Sequence, residues 1–518
     1  MNYFVNENIF TLNSGTEFST VKRLELFRKN GVKAKLLTKN YNANSCSDLE
    51  RMGLKHEDVL NMYDYFQEII DLPRKAGEND IRYADLVDKN LYHIEGIDGN
   101  ESHIKHEGNV IGKVYIAPGT VGLIGGIEYI NHMNVVSARD TWDNRGFKSS
   151  TQYSHQDGKG GPQVFFDFKG QPKIEVTYMH VQGNLMPTMY KLLNYKGRAF
   201  RFNSEDEMFV FFMNEICRQD SNVVLINDRP SLAGAVASVQ GAKGKWQYLH
   251  SVHSRNNEQK GISKKVVDYL QPLFNGLARH FDGLITATEK QRDELAVITN
   301  FKSVVALPDT QVETDYLDNI SFNFAERDKN KLICMGLISE DKGSQDIIEV
   351  MKRVNKKLPG VRVDFYGYAS PSTKQQELEQ AAEKAGLKNV INFKGYQTQD
   401  VLAADLKQTM LQLNCSIGEA FGTSILHGMS YGVPTIAYDV KYGIHEMIEA
   451  GVTGELVHKG SKQAIADKII ELLTDSQKWE AMSRAAFDKA QTFNTDWAWK
   501  KWQDAKQLHE NLFMEDKV

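Results

Sequence analysis

Short apolar segments alternate with helix-patterned segments along most of this 518-residue chain. An opening run has two apolar segments, 3–10 and 34–39, with a helix-patterned stretch between them. The alternation resumes after residue 221, and a second run of it follows residue 329. Such a pattern predicts parallel, doubly wound sheets, whose ligands bind beyond the carboxyl ends of the strands. We therefore expect an α/β protein with two Rossmann-like domains and a cleft between them.

A different pattern interrupts the first run. Across residues 91–201, glycine-rich turns separate segments in which apolar and polar residues alternate, such as "GKVYIAPG" and "PQVFFDFKGQPKIEVTYMHVQG". This pattern predicts an antiparallel β-meander inserted into the first domain. Its edge strands and apolar faces need covering, so we expect the meander to be an assembly surface.

The length of the chain also predicts several domains, because 518 residues exceed what one hydrophobic core supports. A polar, aperiodic stretch at 311–329 is interpreted as the linker between the two halves. The predicted domains are 1–75 with 205–310 (Rossmann-like, acceptor side), 91–201 (meander), 325–490 (second Rossmann-like domain) and 491–518 (a helix crossing back).

Composition excludes several classes of protein. A formal net charge of -5 provides no basic field for nucleic acid. The four cysteines form neither a CxxC pair nor a zinc spacing, which favours structural thiols in a reducing cytosol. No signal-peptide pattern opens the chain, and no apolar run reaches about 18 residues. We expect a cytoplasmic protein, with a peripheral position at the inner face of the membrane left open.

The stretch "CSIGEAFGTSILHG" carries the first candidate chemistry. A strand is predicted to end near Ser416, and a helix to begin at Thr423 or Ser424 after a short loop. The free amides and the dipole at such a helix start favour a phosphate group. Glu419 lies in the loop, where its carboxylate could accept hydrogen bonds from sugar hydroxyls. The alternative is a carboxylate that only interacts with the helix dipole, and both interpretations stay open.

Two further positions belong to the same predicted edge or to its counterpart in the first domain. Lys342 stands at the entry of a helix after a strand that ends near Gly336, and a lysine is a point charge suited to phosphate. Gly15 occupies the first strand-to-helix turn, where the backbone could approach a ligand closely. A solvated lysine and an ordinary helix-entry turn are the alternatives.

Several motifs stand together in one order along the chain. This order resembles that of GT-B retaining glycosyltransferases of family 4, in particular the bacterial subgroup of wall teichoic acid α-glycosyltransferases, such as poly(glycerol-phosphate) alpha-glucosyltransferases, and accessory Sec glycosyltransferases. The resemblance covers nearly the whole chain. It rests on "NSGTE", the inserted meander, "LHSVH", "TATEKQRDEL", "DKGSQD", "DFYGY", "GEAFGTSILHG" and "DVKYG".

The resemblance implies a GT-B fold and a defined reaction. A hexose or N-acetylhexosamine would move from a UDP-sugar to a hydroxyl of a wall teichoic acid or serine-rich glycoprotein, with retention of configuration. No cofactor and no metal would be needed. Implied partners are the UDP-sugar, the acceptor, and either further copies of the chain or a second glycosyltransferase-like chain bound through the meander, but no nucleic acid.

The resemblance also assigns roles to residues. Gly15 would approach the diphosphate, Lys342 would neutralise it, and Glu419 would hold the donor sugar. His250 or His253 would lie near the sugar and the acceptor, although both could instead be structural groups at a strand end. The implied catalytic residues are Glu419, Lys342, His250 and His253, and the implied nucleotide-sugar-binding residues are Gly15, Thr16, Lys342, Phe421, Gly422, Thr423, Ser424 and His427.

Three positions depart from the family pattern, and all three weaken the nucleotide side of the site. Leu337 stands where the family has an arginine, His427 replaces a second glutamate, and Ala369 lies where a glycine is common. A histidine can still donate to a ribose oxygen, but leucine has no polar group. The alternative function is therefore a non-catalytic GT-B subunit that binds acceptor or stabilises a catalytic partner. A phosphorylase or epimerase on the same fold is a third option.

Overall fold

A computed structural model describes most of the chain. The described residues are 1–74, 81–118, 120–255, 261–262, 264–313 and 320–515. Parts of the predicted linker at 311–329 and of the predicted terminal segment at 491–518 lie outside them. No helix among the described residues is both long and apolar enough to cross a membrane.

The elements are numbered in chain order. The α-helices are α1 (Gly15–Lys29), α2 (Ser45–Arg51), α3 (Met62–Phe66), α4 (Tyr83–Leu86), α5 (Glu205–Gln219), α6 (Ala233–Ser238), α7 (Glu289–Ile298), α8 (Ser344–Lys357), α9 (Thr373–Lys384), α10 (Gln399–Gln408), α11 (Thr423–Ser430), α12 (Ile444–Met447), α13 (Lys462–Thr474), α14 (Ser476–Gln491) and α15 (Thr495–Leu508).

The strands follow the same numbering. They are β1 (Asn2–Asn6), β2 (Ala34–Thr38), β3 (Val59–Asn61), β4 (His93–Gly96), β5 (Glu101–His106), β6 (Asn109–Ile116), β7 (Ile124–Ile130), β8 (Val136–Asp143), β9 (Phe147–Ser154), β10 (Gly160–Phe166), β11 (Pro172–Val181), β12 (Asn184–Tyr195), β13 (Arg198–Phe202), β14 (Val224–Asn227), β15 (Gly244–Leu249), β16 (Gly283–Thr286), β17 (Val304–Ala306), β18 (Lys331–Met335), β19 (Arg362–Tyr366), β20 (Ile391–Gly395), β21 (Leu411–Asn414), β22 (Thr435–Tyr438) and β23 (Gly454–Val457).

The chain divides into two compact units. Unit 1 comprises Met1–Thr11, Ala34–Val223 and Ser238–Lys243, and unit 2 comprises Leu12–Lys33, Val224–Ala237 and Gly244–Val518. The second unit therefore contains α1 and β14–β17 together with the whole C-terminal half. The domain limits expected from the sequence stay predictions.

Unit 1 contains a parallel set of strands and the antiparallel meander. Strands β1, β2 and β3 run parallel, with Asn2 opposite Ala34 and Leu36 opposite Val59. Strands β4 to β13 form one antiparallel sheet of ten strands within the described residues, and each strand pairs with its neighbour in the chain. The expected β-meander is confirmed, because short turns with alternating segments leave antiparallel pairing as the local solution.

A buried arginine ties the meander to the parallel part of unit 1. The Arg145 side chain has no exposed area, and it donates to Asp143 at 2.8 Å and to Asp64 at 2.9 Å. Asp143 ends β8, whereas Asp64 lies on α3. Since an unpaired buried charge costs several kcal/mol, these two carboxylates hold the meander in one position within unit 1.

Unit 2 contains two sets of parallel strands. The first runs in the order β17-β16-β15-β14, and the second, with six strands in the described chain, runs β20-β19-β18-β21-β22-β23. In the second sheet the order reverses between β18 and β21. Ligands of open α/β sheets bind at such a reversal, beyond the carboxyl ends of the two strands. The loops that follow β18 and β21 carry Lys342 and Glu419.

Several predicted elements end earlier in the structure. The sequence "WQYLHSVH" predicts a strand over residues 246–253, but β15 ends at Leu249, so that His250 and His253 belong to the loop beyond it. The sequence from about residue 476 to 513 predicts long helical structure, and it forms two helices, α14 and α15. The Asn494 side chain accepts a hydrogen bond from the Trp497 amide and begins α15. The ring of Phe27 on α1 contacts Trp502 on α15, with ring centroids 5.1 Å apart.

Candidate functional site

The loops after β18 and β21 are joined by their backbones. The Ile417 amide donates to the Asp341 carbonyl at 2.9 Å. Gly343 has a φ of +64°, and a Cβ at this position would lie 2.1 Å from the Cys415 carbonyl oxygen. No side chain fits there, so glycine is required for the two loops to approach each other this closely. This approach places Lys342 beside the loop of Glu419.

An ion pair occupies the point where the loops meet. Lys342 Nζ donates to Glu419 Oε1 at 2.6 Å. The same oxygen accepts from Ser416 Oγ at 2.6 Å and from Asn414 Nδ2 at 3.3 Å. The Lys342 side chain is 37% exposed and that of Glu419 is 10% exposed. All three of these partners thus bind Oε1 of the Glu419 carboxylate. None of the described residues donates to its other oxygen, Oε2.

The surroundings keep Glu419 ionised. Burial alone would raise the pKa of this carboxyl, but the charge of Lys342 and the hydrogen bonds from Lys342, Ser416 and Asn414 lower its pKa below the ordinary value. An ionised carboxylate accepts hydrogen bonds and donates none. Glu419 can therefore receive hydroxyl groups of a ligand through Oε2.

The start of α11 lies opposite the start of α1. Helix α11 begins at Thr423, one of the two starts expected from the sequence, after Gly422 with a φ of +98°. The Ile425 and Leu426 amides donate to the Gly422 carbonyl, so that the preceding amides point out of the helix end. A Cβ on Gly15, the first residue of α1, would lie 3.8 Å from Thr423 Oγ1. The two helix starts are therefore adjacent, and the start of α1 already carries the Glu17 carboxylate, which accepts from the Ser14 amide at 2.7 Å.

The flanking candidates of these helix starts are held by packing. Thr16 is half-buried, and its carbonyl accepts from Thr20 Oγ1 at 2.9 Å. Phe421 is buried, with its ring 6.3 Å from that of Phe493. Ser424 is half-buried, and its carbonyl accepts from Gln412 Nε2 at 3.1 Å. Packing thus fixes Phe421, whereas the bonds of Thr16 and Ser424 engage their backbone carbonyls and not their hydroxyls.

His427 is a neutral imidazole. It is half-buried on α11, and its ring meets that of Tyr431 edge-on at 5.6 Å. Burial, together with the charge of Lys22, lowers the pKa of His427 to about 4. At neutral pH one ring nitrogen donates and the other accepts. The residue can therefore hydrogen-bond to a ligand, but it carries no negative charge.

His250 is held in a second, buried cluster of charges. Its Nδ1 lies 2.6 Å from Asp309 Oδ1, and its Nε2 lies 2.9 Å from Asp228 Oδ1. Asp228 also accepts from Arg23 at 2.6 Å and from Thr20 at 2.8 Å. Burial lowers the pKa of His250, but the two carboxylates outweigh it and raise the pKa to about 9. Both ring nitrogens then donate, and His250 has no lone pair with which to act as a base.

His253 is also enclosed by the protein. Its side chain has no exposed area, and its ring stacks on that of Tyr442 with centroids 5.8 Å apart. His253 Nδ1 lies 3.4 Å from the Tyr442 hydroxyl. The histidine therefore meets the segment "DVKYG" of the C-terminal half.

The arginine missing at position 337 has no direct replacement on the same loop. Leu337 is half-buried, and the next residue, Ile338, donates its amide to the Tyr368 carbonyl at 2.9 Å. On the other side, Arg229 donates to Ser14 Oγ at 3.3 Å and pairs with Glu17 at the start of α1. An arginine thus reaches the start of α1, but it already has a carboxylate partner.

The structure brings some candidates together and separates others. Lys342 is paired with Glu419, Gly15 lies beside Thr423, and His250 belongs to the buried cluster with Asp228. Ser416 and Asn414, which orient Glu419, were not singled out from the sequence, although they stand three and five residues before it. Asp228, Asp309, Arg23, Glu294 and Lys441 were missed as well, because their pairing joins residues that are far apart in the chain.

Comparison with known proteins agrees with this arrangement. Residues 318–489, which include the six-stranded sheet and both loops, match the family described as Glycosyl transferases group 1. The GtfA subunit of the UDP-N-acetylglucosamine–peptide N-acetylglucosaminyltransferase of Streptococcus pneumoniae is 22% identical, over 96% of this chain and 97% of its own. The poly(ribitol-phosphate) alpha-N-acetylglucosaminyltransferase of Staphylococcus aureus is 25% identical, over 67% of this chain and 66% of its own.

Solved structures resemble the whole chain. The pneumococcal O-GlcNAc transferase GtfA, in complex with UDP and GlcNAc, has a TM-score of 0.80 at 20% identity and covers 98% of this chain and 99% of its own. The crystal structure of TarM has a TM-score of 0.77 at 19% identity, covering 97% and 98%. The GT-B fold and the resemblance to these glycosyltransferases, both expected from the sequence, are confirmed.

Proposed function

We propose that this protein is a retaining glycosyltransferase that uses a UDP-sugar as donor. It transfers a hexose or N-acetylhexosamine to a hydroxyl of a wall teichoic acid or of a serine-rich glycoprotein. The observation that carries the proposal is the Lys342–Glu419 pair at the reversal of strand order, beside two adjacent helix starts. Full-length similarity to a peptide N-acetylglucosaminyltransferase and partial similarity to a teichoic acid enzyme support the two acceptor classes.

The geometry divides the donor between the groups of the site. The amides at the start of α11 and the backbone at Gly15 receive the diphosphate, and Lys342 adds positive charge where the leaving group gains negative charge. Glu419 holds the hydroxyls of the donor sugar through Oε2. His427 donates to the ribose in place of a carboxylate. The proposal includes no resident metal, because Lys342 and the amides supply the positive potential.

His250 has a supporting function in this scheme. Since both of its nitrogens donate to carboxylates, it orders the strand ends on the acceptor side and takes no proton from the acceptor. His253 lies nearer the donor loop through its contact with Tyr442. The retained configuration and the identity of the acceptor remain part of the proposal.

Partners and location follow from the same scheme. A GtfA/B complex, 18% identical and with a TM-score of 0.71, is a pair of chains, and the meander of this protein exposes Met133, Tyr153 and Met179. We propose that the meander binds a second copy or a second glycosyltransferase-like chain. A UDP-sugar donor places the reaction in the cytoplasm, where a peripheral position at the membrane would suit a wall-polymer acceptor.

The alternative function is a non-catalytic partner subunit, and Leu337 with neutral His427 is the observation that favours it. Calorimetry with UDP and turnover of UDP-glucose and UDP-N-acetylglucosamine separate the two. We expect UDP to bind the wild type, and Lys342→Ala to reduce turnover by about 10² to 10³-fold, because a preorganised charge at the leaving group is lost. Glu419→Ala should abolish turnover, because the carboxylate that holds the donor sugar is lost.

The matched control is Lys388→Ala, which removes an exposed lysine that pairs with Glu383 at 2.9 Å away from the site. It should leave both UDP binding and turnover unchanged. A chelator should likewise leave turnover unchanged. If the wild type gives no heat with UDP and no turnover, the partner-subunit function stands instead.

A further inference from the structure

The motif "TATEKQRDEL" has no part in the site described above, yet its helix carries buried polar groups. Helix α7 begins at Glu289 after Thr288, whose side chain accepts from the Gln291 amide. Gln291 has no exposed area and Glu294 is 7% exposed. Buried polar side chains are costly unless they are paired, so their partners indicate their function. Gln291 Nε2 donates to the Ser251 carbonyl at 2.9 Å, in the loop between the two histidines.

Glu294 holds two consecutive residues of the C-terminal half. Its Oε1 accepts from Lys441 Nζ at 2.7 Å, and its Oε2 accepts from the Tyr442 hydroxyl at 2.9 Å. Lys441 has no exposed side-chain area. Lys441 Nζ also donates to the Gly261 carbonyl, and the carboxylate supplied by α7 is the charged partner of the segment 441–442.

Those two residues in turn hold the backbone of Glu419. The Glu419 amide donates to the Lys441 carbonyl at 2.9 Å, and the Tyr442 amide donates to the Glu419 carbonyl at 2.6 Å. The Tyr442 ring stacks on His253. The Glu294 carboxylate is thus connected to Glu419 through Lys441 and Tyr442, and to His253 through Tyr442.

A contribution to stability alone is a weak reason for such an arrangement. Burying a lysine and a glutamate costs desolvation energy that their attraction only partly repays, and apolar side chains of similar size often stabilise as well. What the ion pair adds is a fixed direction for each group. Lys441 and Tyr442, whose positions Glu294 fixes in this way, both hydrogen-bond to the backbone of Glu419.

We propose that Glu294 is a positioning residue of the transfer reaction: through Lys441 and Tyr442 it sets the carboxylate of Glu419 and the ring of His253 relative to each other. The inference rests on the proposed function. According to this inference, α7, which lies in the predicted acceptor domain, fixes the geometry of Glu419, the residue that holds the donor sugar.

The test measures kcat and UDP affinity in the full chain, with kcat divided by the number of UDP sites found by calorimetry. That division removes any loss of folded protein. For Glu294→Gln we expect kcat per site to fall by up to about 10²-fold, as for a displacement of about 1 Å at a reacting group. The Kd for UDP should stay unchanged, because Lys342 and the helix starts hold the diphosphate.

A second variant decides the matter if Glu294→Gln does not fold. Tyr442→Phe removes only the hydroxyl that binds Glu294 and lies near His253. We expect kcat per site to fall by about tenfold, because one of the two contacts of Glu294 is lost while its ion pair with Lys441 stays, again with an unchanged Kd for UDP. Glu294→Asp should recover part of the kcat that Glu294→Gln loses, because it restores the charge.

The chain offers a matched control. Asp405 also pairs with a lysine, Lys331, and accepts from a tyrosine hydroxyl, that of Tyr366, but none of the three contacts Glu419. Asp405→Asn should lower the free energy of unfolding and leave kcat per site unchanged. If Glu294→Gln and Tyr442→Phe also leave kcat per site unchanged, or if Asp405→Asn lowers it equally, the inference is overturned. A wild type without UDP binding and turnover overturns the proposed function and this inference together.

Discussion

Two clusters of opposite charges lie beyond the carboxyl ends of the parallel strands in unit 2, and they differ in how completely their charges are paired. In the cluster after β14 and β15, Asp228 is 1% exposed and accepts from Arg23, Thr20 and His250. In the cluster after β18 and β21, Lys342 is 37% exposed and Glu419 uses one oxygen for all its partners.

The cluster at Asp228 supports the fold, whereas the cluster at Lys342 and Glu419 is the candidate site. A group whose hydrogens or lone pairs are all engaged inside the protein can hold a loop in place, but it cannot exchange a partner for a ligand without leaving a buried charge unpaired. An ion pair whose lysine is exposed can make that exchange, because water and ligand both reach the lysine. Strand ends of the same kind thus provide a fixed support on one sheet and, in the proposed function, a binding position on the other.

The largest effect that would sharpen this comparison concerns Asp228. Asp228→Asn removes the charge that Arg23 and His250 share, and we expect a loss of about 3 to 5 kcal/mol in the free energy of unfolding, since a buried charge loses its partner. Denaturant unfolding at pH 7 measures it. The cluster of Lys342 and Glu419, with its exposed lysine, is called the open cluster here. In it, Glu419→Gln should lower the free energy of unfolding much less. Equal losses from the two variants would contradict the distinction.

The next effect is the dependence of stability on pH. The pKa of His250 is raised from 6.5 to about 9, so its contribution is fully present below pH 6.5 and is lost as pH rises towards 9. The expected loss is on the order of 3 kcal/mol. The pKa of His427 is lowered to about 4, so its contribution is lost in the opposite direction, as pH falls from 6.5 towards 4.

Unfolding free energies at a series of pH values check both directions. His250→Gln should flatten the alkaline part of the profile, and His427→Gln should flatten the acidic part. NMR titration should find the His250 imidazole still protonated at pH 8. A His250 that titrates near 6.5 would show that its carboxylate partners do not hold the charge.

The smallest effects come from introducing, at positions 337 and 427 of the open cluster, the polar groups that the resembled family has there. Leu337→Arg should tighten UDP binding by about 10- to 100-fold, because a charge-assisted hydrogen bond to the diphosphate contributes about 1.5 to 3 kcal/mol. His427→Glu should tighten it less, since it adds hydrogen bonds to the ribose only. Calorimetry on each variant and on the double variant measures both.

Leu337→Gln is the control for the arginine, because it adds polarity without charge. It should change the Kd for UDP much less than Leu337→Arg does. If neither Leu337→Arg nor His427→Glu binds UDP more tightly than the wild type, the open cluster is not a nucleotide site.

The candidate site was only partly predictable from the sequence. Lys342 and Glu419 could be named because each follows a predicted strand and precedes a predicted helix, and parallel strands place such loops at one edge. The start of α11 at Thr423 follows from the same local pattern. Ser416 and Asn414 lie in the quoted stretch, but which oxygen of Glu419 they bind depends on the fold of the loop.

Sequence by itself determined the two series of parallel strands, the meander and the loops that carry Lys342 and Glu419, because periodicity, turns and helix starts depend on neighbours within a few residues. Only the tertiary structure decided that His250 is a buried cation between Asp228 and Asp309, and that Glu294 holds Lys441, 147 residues further along the chain. The charge of a buried group depends on which distant carboxylates surround it and on how much water is excluded. These quantities arise only when separate segments pack together, so the local pattern around each residue does not contain them.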